Sequence, residues 1–508
     1  MNYFYEPVSI DDMLKNTKAK YGSRMFAHEL VDGQFNGKTH GEFIADVHAA
    51  ASQLISAGYG GKSIMLQGKN TYEWLVLYIA IIGYVGICIC ASKDWKAYDL
   101  SHAIEVTSPD LILYDMSVAD LVESLDKSFL TMPFHQILHA DSQSADIDLG
   151  KQRIPGNTTS MIVFTTGTTA LPKAVTLSFG NAMANGQNLY SRIPITPDDV
   201  YYLFLPFHHI YAQACIIFAA LLLGAQVYIS YSVQNAKEEL LLSKPTIIPG
   251  VPLFFDRILD AFTDQQRRTA QQADVLLTRF HAPRWLRRRV FKDFHDALGG
   301  QVQCLTSGAA RLDSSTKQFL RSTGLTVIEG YGMSETCGVI SVEYDHDSPL
   351  GSVGRPLEHM QVTIQDPDKN GFGEIAVKGK NVMQGYIVNC IVNPPVLNDS
   401  GFFITGDIGR FDQAGNLYIK GRADKVLVLS SGEKVSIDEL TKLVKKGNNE
   451  IRKVYFSEEN GYVSAKIFTL QSEKLLQKHL SKLNSLLPRY KQIRHYSVIR
   501  DLTESEVK

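Results

Sequence analysis

The segment that decides the fold is Met161-Ile162-Val163-Phe164-Thr165-Thr166-Gly167-Thr168-Thr169-Ala170-Leu171-Pro172-Lys173-Ala174-Val175. A β-branched strand enters a loop that holds four threonines, one glycine and one lysine, and a second strand leaves it. Backbone N–H groups, hydroxyls and an ammonium in one loop are the donors that a polyphosphate requires. No Gly-Lys-Ser/Thr opens a helix here, so the loop is not a Walker loop. Taken alone, it could also be a threonine-rich hairpin turn.

The chain upstream of this loop alternates between helix-like and strand-like segments. Helical periodicity is followed by a short apolar strand three times: Thr39–Gly58 then Ser63–Leu66, a helix from Thr71 then Val85–Cys90, and Asp99–Thr107 then Leu111–Tyr114. Such alternation predicts layered α/β sub-domains with largely parallel sheets.

After about Gly351 the pattern changes to short alternating strands between Gly- and Asp-rich turns. These strands are expected at Gln361–Ile364, Glu374–Val377, Asn416–Ile419 and Lys425–Leu429. They predict a small antiparallel β module that completes a large lobe. Past Arg422, the remaining 86 residues predict a small α+β domain with helices near Ser436–Lys446 and Glu473–Leu487.

Composition excludes several classes of protein. Of the 508 residues, 44% are hydrophobic and 20% charged, and the net charge is −2, which argues against disordered, collagen-like and disulfide-scaffold chains. A nearly neutral chain does not favour nucleic acid through bulk charge. The six cysteines lack metal-site spacing and the N-terminus lacks a secretory pattern, so reduced thiols and a cytoplasmic location are expected.

Two uncharged stretches have the length of a membrane span. They are Trp74–Ala91 and Ile210–Ala236. Glycines interrupt both of them, and each turns β-branched or alternating after the glycine. We therefore predict a buried helix, a glycine C-cap and a buried strand in each, and no transmembrane segment.

Five further motifs give the chain a family resemblance. They are Leu205-Pro206-Phe207-His208-His209-Ile210, Ser307-Gly308-Ala309-Ala310, Glu329-Gly330-Tyr331-Gly332-Met333-Ser334-Glu335-Thr336, Thr405-Gly406-Asp407 and Gly421-Arg422-Ala423-Asp424. With the threonine loop, in this order, they closely resemble the ATP-dependent acyl-adenylate-forming superfamily, which includes acyl-CoA synthetases and peptide-synthetase adenylation domains. The match runs over nearly the whole chain.

The resemblance implies a role for each motif residue. The phosphate loop is Thr165, Thr166, Gly167, Thr168 and Thr169 with Lys173, and the nucleotide loop is Gly308, Ala309 and Ala310. Tyr331 would stack on adenine between Gly330 and Gly332, which permit close backbone approach. Glu335 would bind Mg²⁺ and Thr336 donate a hydroxyl beside the α-phosphate. Asp407 and Arg422 would hold the ribose, and His209 would gate the acyl pocket, although a lone His beside an apolar run is commonly a core residue.

The resemblance also implies a domain organisation. A large adenylating domain would cover residues 1–421, and a small mobile domain, hinged near Asp424, would cover 422–508. The pattern Leu429-Ser430-Ser431-Gly432-Glu433-Lys434-Val435 is most similar to long-chain acyl-CoA synthetases. Lys434 stands where that subgroup commonly has Asn.

Other positions also depart from the family pattern. Ala170 and Ala174 replace glycines that are usual in the phosphate loop. The family ends with a lysine that neutralises the α-phosphate, whereas this sequence ends at Lys508. We expect that the small domain stops short of the motif, and we leave the adenylating lysine unassigned.

The resulting hypothesis is an AMP-forming acid–thiol ligase that uses ATP, Mg²⁺ and CoA on a medium- or long-chain fatty acid. One alternative is an acyl-AMP ligase that loads an acyl, aryl or amino acid onto a carrier-protein phosphopantetheine. A nucleotide-binding homologue with impaired synthesis is an alternative from another class. The basic segment Arg284–Lys292 could dock an anionic membrane, CoA phosphates or an acidic carrier protein. A solvated helix face is the reading we favour for it.

Overall fold

The computed structural model describes most of the chain. It covers residues 6–31, 33–125, 129–138, 147–165, 172–193, 195–230, 233–260, 282–343, 348–423, 426–428, 434–446, 448, 450–459, 462–487 and 491–500. Its strands are β1 (Met25–Val31), β2 (Gln34–Thr39), β3 (Ser63–Gln67), β4 (Ile87–Ala91), β5 (Leu111–Tyr114), β6 (Thr131–Pro133), β7 (Thr159–Thr165), β8 (Lys173–Ser178), β9 (Val200–Leu203), β10 (Gln226–Ile229), β11 (Ile247–Gly250), β12 (Cys304–Ser307), β13 (Thr326–Tyr331), β14 (Ser341–Val342), β15 (Arg355–Pro356), β16 (Gln361–Gln365), β17 (Gly373–Lys378), β18 (Gly385–Val388), β19 (Ile391–Asn393), β20 (Phe403–Phe411), β21 (Leu417–Arg422), β22 (Val426–Val428), β23 (Lys434–Ser436), β24 (Ile451–Glu459), β25 (Tyr462–Thr469) and β26 (Ile493–Ile499).

The α-helices lie between these strands. They are α1 (Ile10–Tyr21), α2 (His40–Leu54), α3 (Tyr72–Ala80), α4 (Ala97–Thr107), α5 (Ala119–Glu123), α6 (Phe134–Leu138), α7 (Leu149–Gln152), α8 (Phe179–Arg192), α9 (Ile210–Ala212), α10 (Phe218–Leu223), α11 (Ala236–Ser243), α12 (Pro252–Asp260), α13 (Arg284–Val290), α14 (Lys292–Ala297), α15 (Ser314–Ser322), α16 (Ile437–Lys445) and α17 (Glu473–Leu486). Short π-helical turns cover Ile55–Tyr59, Ile81–Val85 and Gln213–Ile217, and short 3₁₀ turns cover Met116–Val118, Val233–Asn235 and Ser334–Thr336.

The chain divides into two compact units. The first comprises Met1–Val362, Val377–Phe403 and Gln413–Leu417, and the second comprises Thr363–Ala376, Ile404–Asp412 and Tyr418–Lys508. Much of the β16, β17, β20 and β21 sheet therefore belongs to the second unit, whereas the sequence placed that module with the large lobe. The predicted border between residues 421 and 422 stays a prediction.

The first unit contains an eight-stranded sheet that presents the phosphate-loop segment. Its order is β19-β18-β8-β7-β4-β3-β5-β6. The strands from β7 to β6 pair in parallel, as their apolar runs and the intervening helices predict. The other three pairs, β7–β8, β8–β18 and β18–β19, are antiparallel. The loop itself joins β7 to β8, and β18 and β19 form a hairpin.

A nine-stranded sheet in the same unit presents the nucleotide motifs. Its order is β15-β14-β13-β12-β11-β9-β10-β1-β2. The strands from β13 to β1 pair in parallel, so the carboxyl ends of β11, β12 and β13 meet at one edge. Such an edge is where open α/β sheets bind ligands.

The second unit contains a small α+β arrangement of its own. β24 and β25 pair antiparallel, and β26 joins β25 in parallel. Helices α16 and α17 pack their apolar residues into the same buried cluster, which includes Leu440, Val444, Leu476 and Leu480. This apolar face holds the three-stranded sheet and its two helices together.

The structure confirms the α/β fold with a small C-terminal part and corrects one strand boundary. The helix beginning after Thr71 continues as the π-helical turn Ile81–Val85, so β4 starts at Ile87 rather than at Val85. Both stretches have the predicted glycine C-cap. Gly86, with φ 170°, ends the π-helical turn and its N–H donates to the Ile81 carbonyl oxygen, and Gly224, with φ 76°, caps α10. Within the described part of the chain, no helix has both the length and the apolar character that crossing a bilayer would require.

Candidate active site

The base of the phosphate loop is set by the register between β7 and β8. Thr165 and Lys173 are cross-strand partners, which places the loop's first hydroxyl opposite its ammonium. The buried β7 residues anchor this pair to the sheet. Four of the predicted phosphate-binding residues, Thr166, Gly167, Thr168 and Thr169, lie outside the described residues. Their predicted role stays a prediction.

Glu335 lies in the 3₁₀ turn Ser334–Thr336 with only 6% of its surface exposed. The Tyr386 hydroxyl donates to Glu335 Oε1 at 2.8 Å, and the Met383 N–H donates to the Glu335 carbonyl oxygen at 2.8 Å. The carboxylate is therefore oriented by a side chain and its backbone by a neighbouring segment. A single oriented carboxylate fits Mg²⁺, which is commonly held by one or two carboxylates together with substrate phosphates.

Tyr386 also links Glu335 to the phosphate loop. It lies on β18, where it pairs with Val175 of β8, and the Lys173 Nζ lies 5.5 Å from the centroid of its ring. One aromatic side chain thus contacts the predicted metal ligand through its hydroxyl and the loop lysine through its face. The sequence motifs did not indicate Tyr386, because it lies 51 residues after Glu335 and reaches it only through strand pairing.

Thr336 is fully buried, and its side chain forms a hydrogen bond within the turn Ser334–Thr336 and its flanking residue. Its hydroxyl donates to the Met333 carbonyl oxygen at 3.1 Å, and its own carbonyl oxygen accepts from Asn185 and Asn381. These bonds fix the backbone that carries Glu335. The predicted contact of the Thr336 hydroxyl with phosphate stays a prediction.

The nucleotide motifs continue two adjacent parallel strands. β12 ends at Ser307, next to Gly308, and β13 ends at Tyr331. Gly332 has no room for a side chain, because a Cβ would overlap the Gly338 carbonyl group. Ala309 adopts a left-handed φ of 66°, so the predicted loop 308–310 bends sharply after the strand. The structure therefore brings the two predicted nucleotide segments to one sheet edge.

A mainly apolar cavity of about 360 Å³ opens between these segments. Its wall is formed by side chains from β9, β11, the Gln213–Ile217 turn and their neighbours, and its remaining boundary includes Ser307, Gly308, Ala309, Gly330, Gly332 and Ser334. His209 also lines it, and its predicted gating role stays a prediction. Burial raises the pKa of the Cys215 thiol in this wall to about 12, so the thiol stays neutral.

The second unit brings Asp407 and Arg422 together. The Arg422 guanidinium lies 3.3 Å from Asp407 Oδ1 and donates to the Thr405 carbonyl oxygen at 3.2 Å. Gly406, with φ 72°, leaves space for this guanidinium, since its Cβ would lie 3.1 Å from it. The pair offers an acceptor and a donor side by side, as a ribose diol requires. Gly421 and Arg422 end strand β21, and the predicted hinge residue Asp424 lies outside the described residues.

The basic segment forms helix α13 and the start of α14. Arg287 donates to the Ser322 carbonyl oxygen at 3.1 Å and Arg288 to the Val302 carbonyl oxygen at 2.7 Å. These two arginines therefore bind helix α13 to neighbouring backbone segments, whereas Trp285 is 66% exposed.

Comparison with known proteins agrees with this geometry. A family model described as AMP-binding enzyme matches residues 17–387. The chain belongs to this family. It is 26% identical over 444 residues to a long-chain-fatty-acid–CoA ligase of Mycobacterium bovis, and the match covers 80% of this chain and 73% of that protein. It is 25% identical over 496 residues to fatty acyl-CoA synthetase B of Dictyostelium discoideum, and that match covers 86% of this chain and 73% of that protein.

A solved structure shares the fold of this family member. It is O-succinylbenzoate coenzyme A synthetase of Bacillus subtilis, determined in complex with ATP and magnesium ion, with a TM-score of 0.74 and 20% identity over 96% of this chain and 95% of that chain.

Proposed function

We propose that this AMP-binding enzyme joins a fatty acid to CoA at the expense of ATP, through an acyl-adenylate. The observation that carries the proposal is the apolar cavity bounded by both nucleotide segments, Ser307–Ala309 and Gly330–Ser334. A cavity of this kind places a hydrocarbon tail in the fold while its carboxylate faces the residues predicted to bind the nucleotide. The named activities of the two relatives support the same substrate class.

In the first half-reaction an oxygen of the fatty carboxylate attacks the α-phosphorus of ATP, and the bond to pyrophosphate breaks. The residues act by positioning and by electrostatic stabilisation, without a protein nucleophile. The 165–173 loop would hold the β- and γ-phosphates, and Lys173 would offset their charge. Glu335, oriented by Tyr386, would hold Mg²⁺, which supplies charge neutralisation at the phosphates.

In the second half-reaction the CoA thiolate attacks the acyl carbonyl carbon, and AMP leaves with the bonding electron pair. The thiol proton passes to solvent. We propose that Asp407 and Arg422 keep the ribose in place, since their pairing presents both hydrogen-bonding roles on one face. Gating of the two half-reactions by a mobile domain hinged near Asp424 is part of the same proposal.

The cavity volume indicates the length of the acid. A cavity of roughly 150 Å³ holds benzene, or about 25 Å³ per carbon atom. At that density the cavity of about 360 Å³ holds about 14 carbon atoms, which favours medium- to long-chain fatty acids over acetate-sized ones.

The test is ATP–pyrophosphate exchange with saturated acids of graded length, followed by thioester formation with CoA. We expect a maximum near 14 carbons and acyl-CoA as the product; the cytoplasmic location stays part of the proposal. A carrier protein offered in place of CoA would give a thioester visible as a gel shift if that acceptor were correct. Absence of exchange with every acid, despite AMP binding, would contradict the proposed activity and favour a nucleotide-binding homologue.

A further inference from the structure

Lys317, on helix α15, is a fully buried lysine between two buried glutamates. Its exposed fraction is 0%, and those of Glu329 and Glu343 are 2% and 0%. The Lys317 Nζ lies 2.9 Å from Glu329 Oε2 and 2.7 Å from Glu343 Oε1. Arg321, one helical turn later, lies 3.3 Å from Glu343 Oε2. Two cations and two carboxylates therefore balance inside the first unit.

This cluster lies directly behind the nucleotide segments. Glu329 immediately precedes Gly330 and Tyr331 on β13. Its second oxygen, Oε1, accepts the backbone N–H of Leu312 at 3.0 Å, just beyond the 307–310 loop. The Glu329 N–H in turn donates to Glu343 Oε2 at 2.9 Å. One carboxylate thus connects the end of one nucleotide segment to the start of the other.

Stability alone is a poor explanation for such a cluster. Removing charges from water is costly, and well-packed apolar residues often stabilise a fold as well as a buried ion pair does. Burial indeed raises the pKa of Glu343, and Lys317 opposes that shift. What the ionic cluster adds over an apolar one is a fixed orientation for the Glu329 carboxylate and, through it, for the Leu312 backbone.

We propose that Lys317 and Glu329 are positioning residues that hold the segments 307–310 and 330–332 in the geometry that binds nucleotide. The inference rests on the proposed function, which assigns nucleotide contacts to these two segments. Lys317 fixes the carboxylate of Glu329, and Glu329 fixes Leu312.

Two double variants separate positioning from stability. Lys317→Met with Glu329→Gln and Lys317→Met with Glu329→Leu each remove one positive and one negative charge. Only glutamine keeps an acceptor for the Leu312 N–H. AMP binding is measured by calorimetry, and thermal unfolding is followed in parallel. We expect the glutamine pair to bind AMP within about threefold of the parent, and the leucine pair to bind about tenfold more weakly at a similar melting temperature.

The outcomes are distinct. Equal AMP affinity in the two pairs, or an affinity that merely follows the melting temperature, would overturn the inference. If the leucine pair fails to fold, Lys317→Met alone carries the test: its AMP affinity should fall about tenfold and recover when Glu329→Gln is added, and no recovery would overturn it. A parent that binds AMP but forms no acyl-CoA contradicts only the proposed reaction, whereas a parent that does not bind AMP overturns the nucleotide assignment and this inference together.

Discussion

Replacing Tyr386 by Phe should raise the Mg²⁺ concentration that adenylation requires. The substitution removes one oxygen, which lies 2.8 Å from Glu335 Oε1, and leaves the ring that faces Lys173. Hydrogen bonds to a charged group contribute about 1.5–3 kcal/mol. Loss of such a partner behind a metal ligand lowers metal affinity or activity by about 10- to 100-fold. We therefore expect the Mg²⁺ concentration at half-maximal rate to rise by at least about tenfold.

The assay is ATP–pyrophosphate exchange at fixed ATP and acid, with free Mg²⁺ varied. Tyr84→Phe is a matched control, because the Tyr84 hydroxyl also donates to a buried carboxylate, that of Asp11, at 3.0 Å. The control should lower stability without changing the Mg²⁺ requirement. Tyr386→Leu, which also removes the ring beside Lys173, should in addition raise the KM for ATP.

An unchanged Mg²⁺ requirement in Tyr386→Phe would refute the reasoning. It would mean that Glu335 keeps its orientation without the tyrosine, or that it does not hold the metal. An equal shift in Tyr84→Phe would show that the effect comes from general destabilisation of the first unit.

Three further variants test the glycine turn, the cavity and a buried histidine. Gly332→Ala should abolish AMP binding, because its Cβ would overlap the Gly338 carbonyl group. The control Gly60→Ala should leave AMP binding unchanged, since its Cβ would lie 3.8 Å from its nearest neighbour. Both affinities are measured by calorimetry with AMP. Ile216→Trp adds about six heavy atoms to the cavity wall, which fill the space that roughly 150 Å³ of cavity offers. The preferred acid in a chain-length series should therefore shorten by about six carbons. An unchanged optimum would show that the acyl chain lies elsewhere. Burial lowers the pKa of His40 from 6.5 to about 4, so its protonation favours the unfolded chain and stability should be lost as pH falls from 6.5 towards 4, by up to about 3 kcal/mol. His40→Phe should remove that part of the pH dependence in urea unfolding at pH 4.5 and 7, and an identical pH dependence in both proteins would contradict it.

Much of the fold could be predicted from local pattern. The apolar runs that became β3, β5 and β7 are bounded by turn residues and have the length of buried strands, so run length and flanking residues were sufficient to predict them. Helix α2 begins with a capping box, whose Thr-x-x-Glu pattern is visible in the sequence: the Thr39 hydroxyl oxygen accepts from the Glu42 N–H, and the Glu42 carboxylate accepts from the Thr39 N–H. Boundaries at the π-helical turns could not be predicted, because the extra residue per turn is set by tertiary packing.

The residues of the candidate site could be predicted only where they belong to a sequence motif. Glu335 lies four residues after Tyr331, and a motif shows both. Tyr386 and Lys317 carry no such signal: the first depends on the register between β18 and β8, and the second on burial of a lysine within the polar-looking segment Ser314–Ser322. Long-range pairing and the balance of buried charges are properties of the folded chain, so the sequence motifs omit residues such as Tyr386 and Lys317, which orient the predicted site residues or their neighbours.

Under the proposed function, substrate selection and adenylation depend on different side chains. The cavity wall consists of strand and helix residues such as Tyr201 and Ile247, whose backbones are fixed by sheet pairing. Glu335 instead lies in the turn Ser334–Thr336 and Lys173 at the first position of β8, and both contact Tyr386. Substitutions at wall positions such as Tyr201 and Ile247 should therefore alter the preferred acid without altering AMP affinity, whereas Tyr386→Phe should alter the Mg²⁺ requirement without altering the preferred acid. Variation in chain-length preference is then compatible with an unchanged adenylation site.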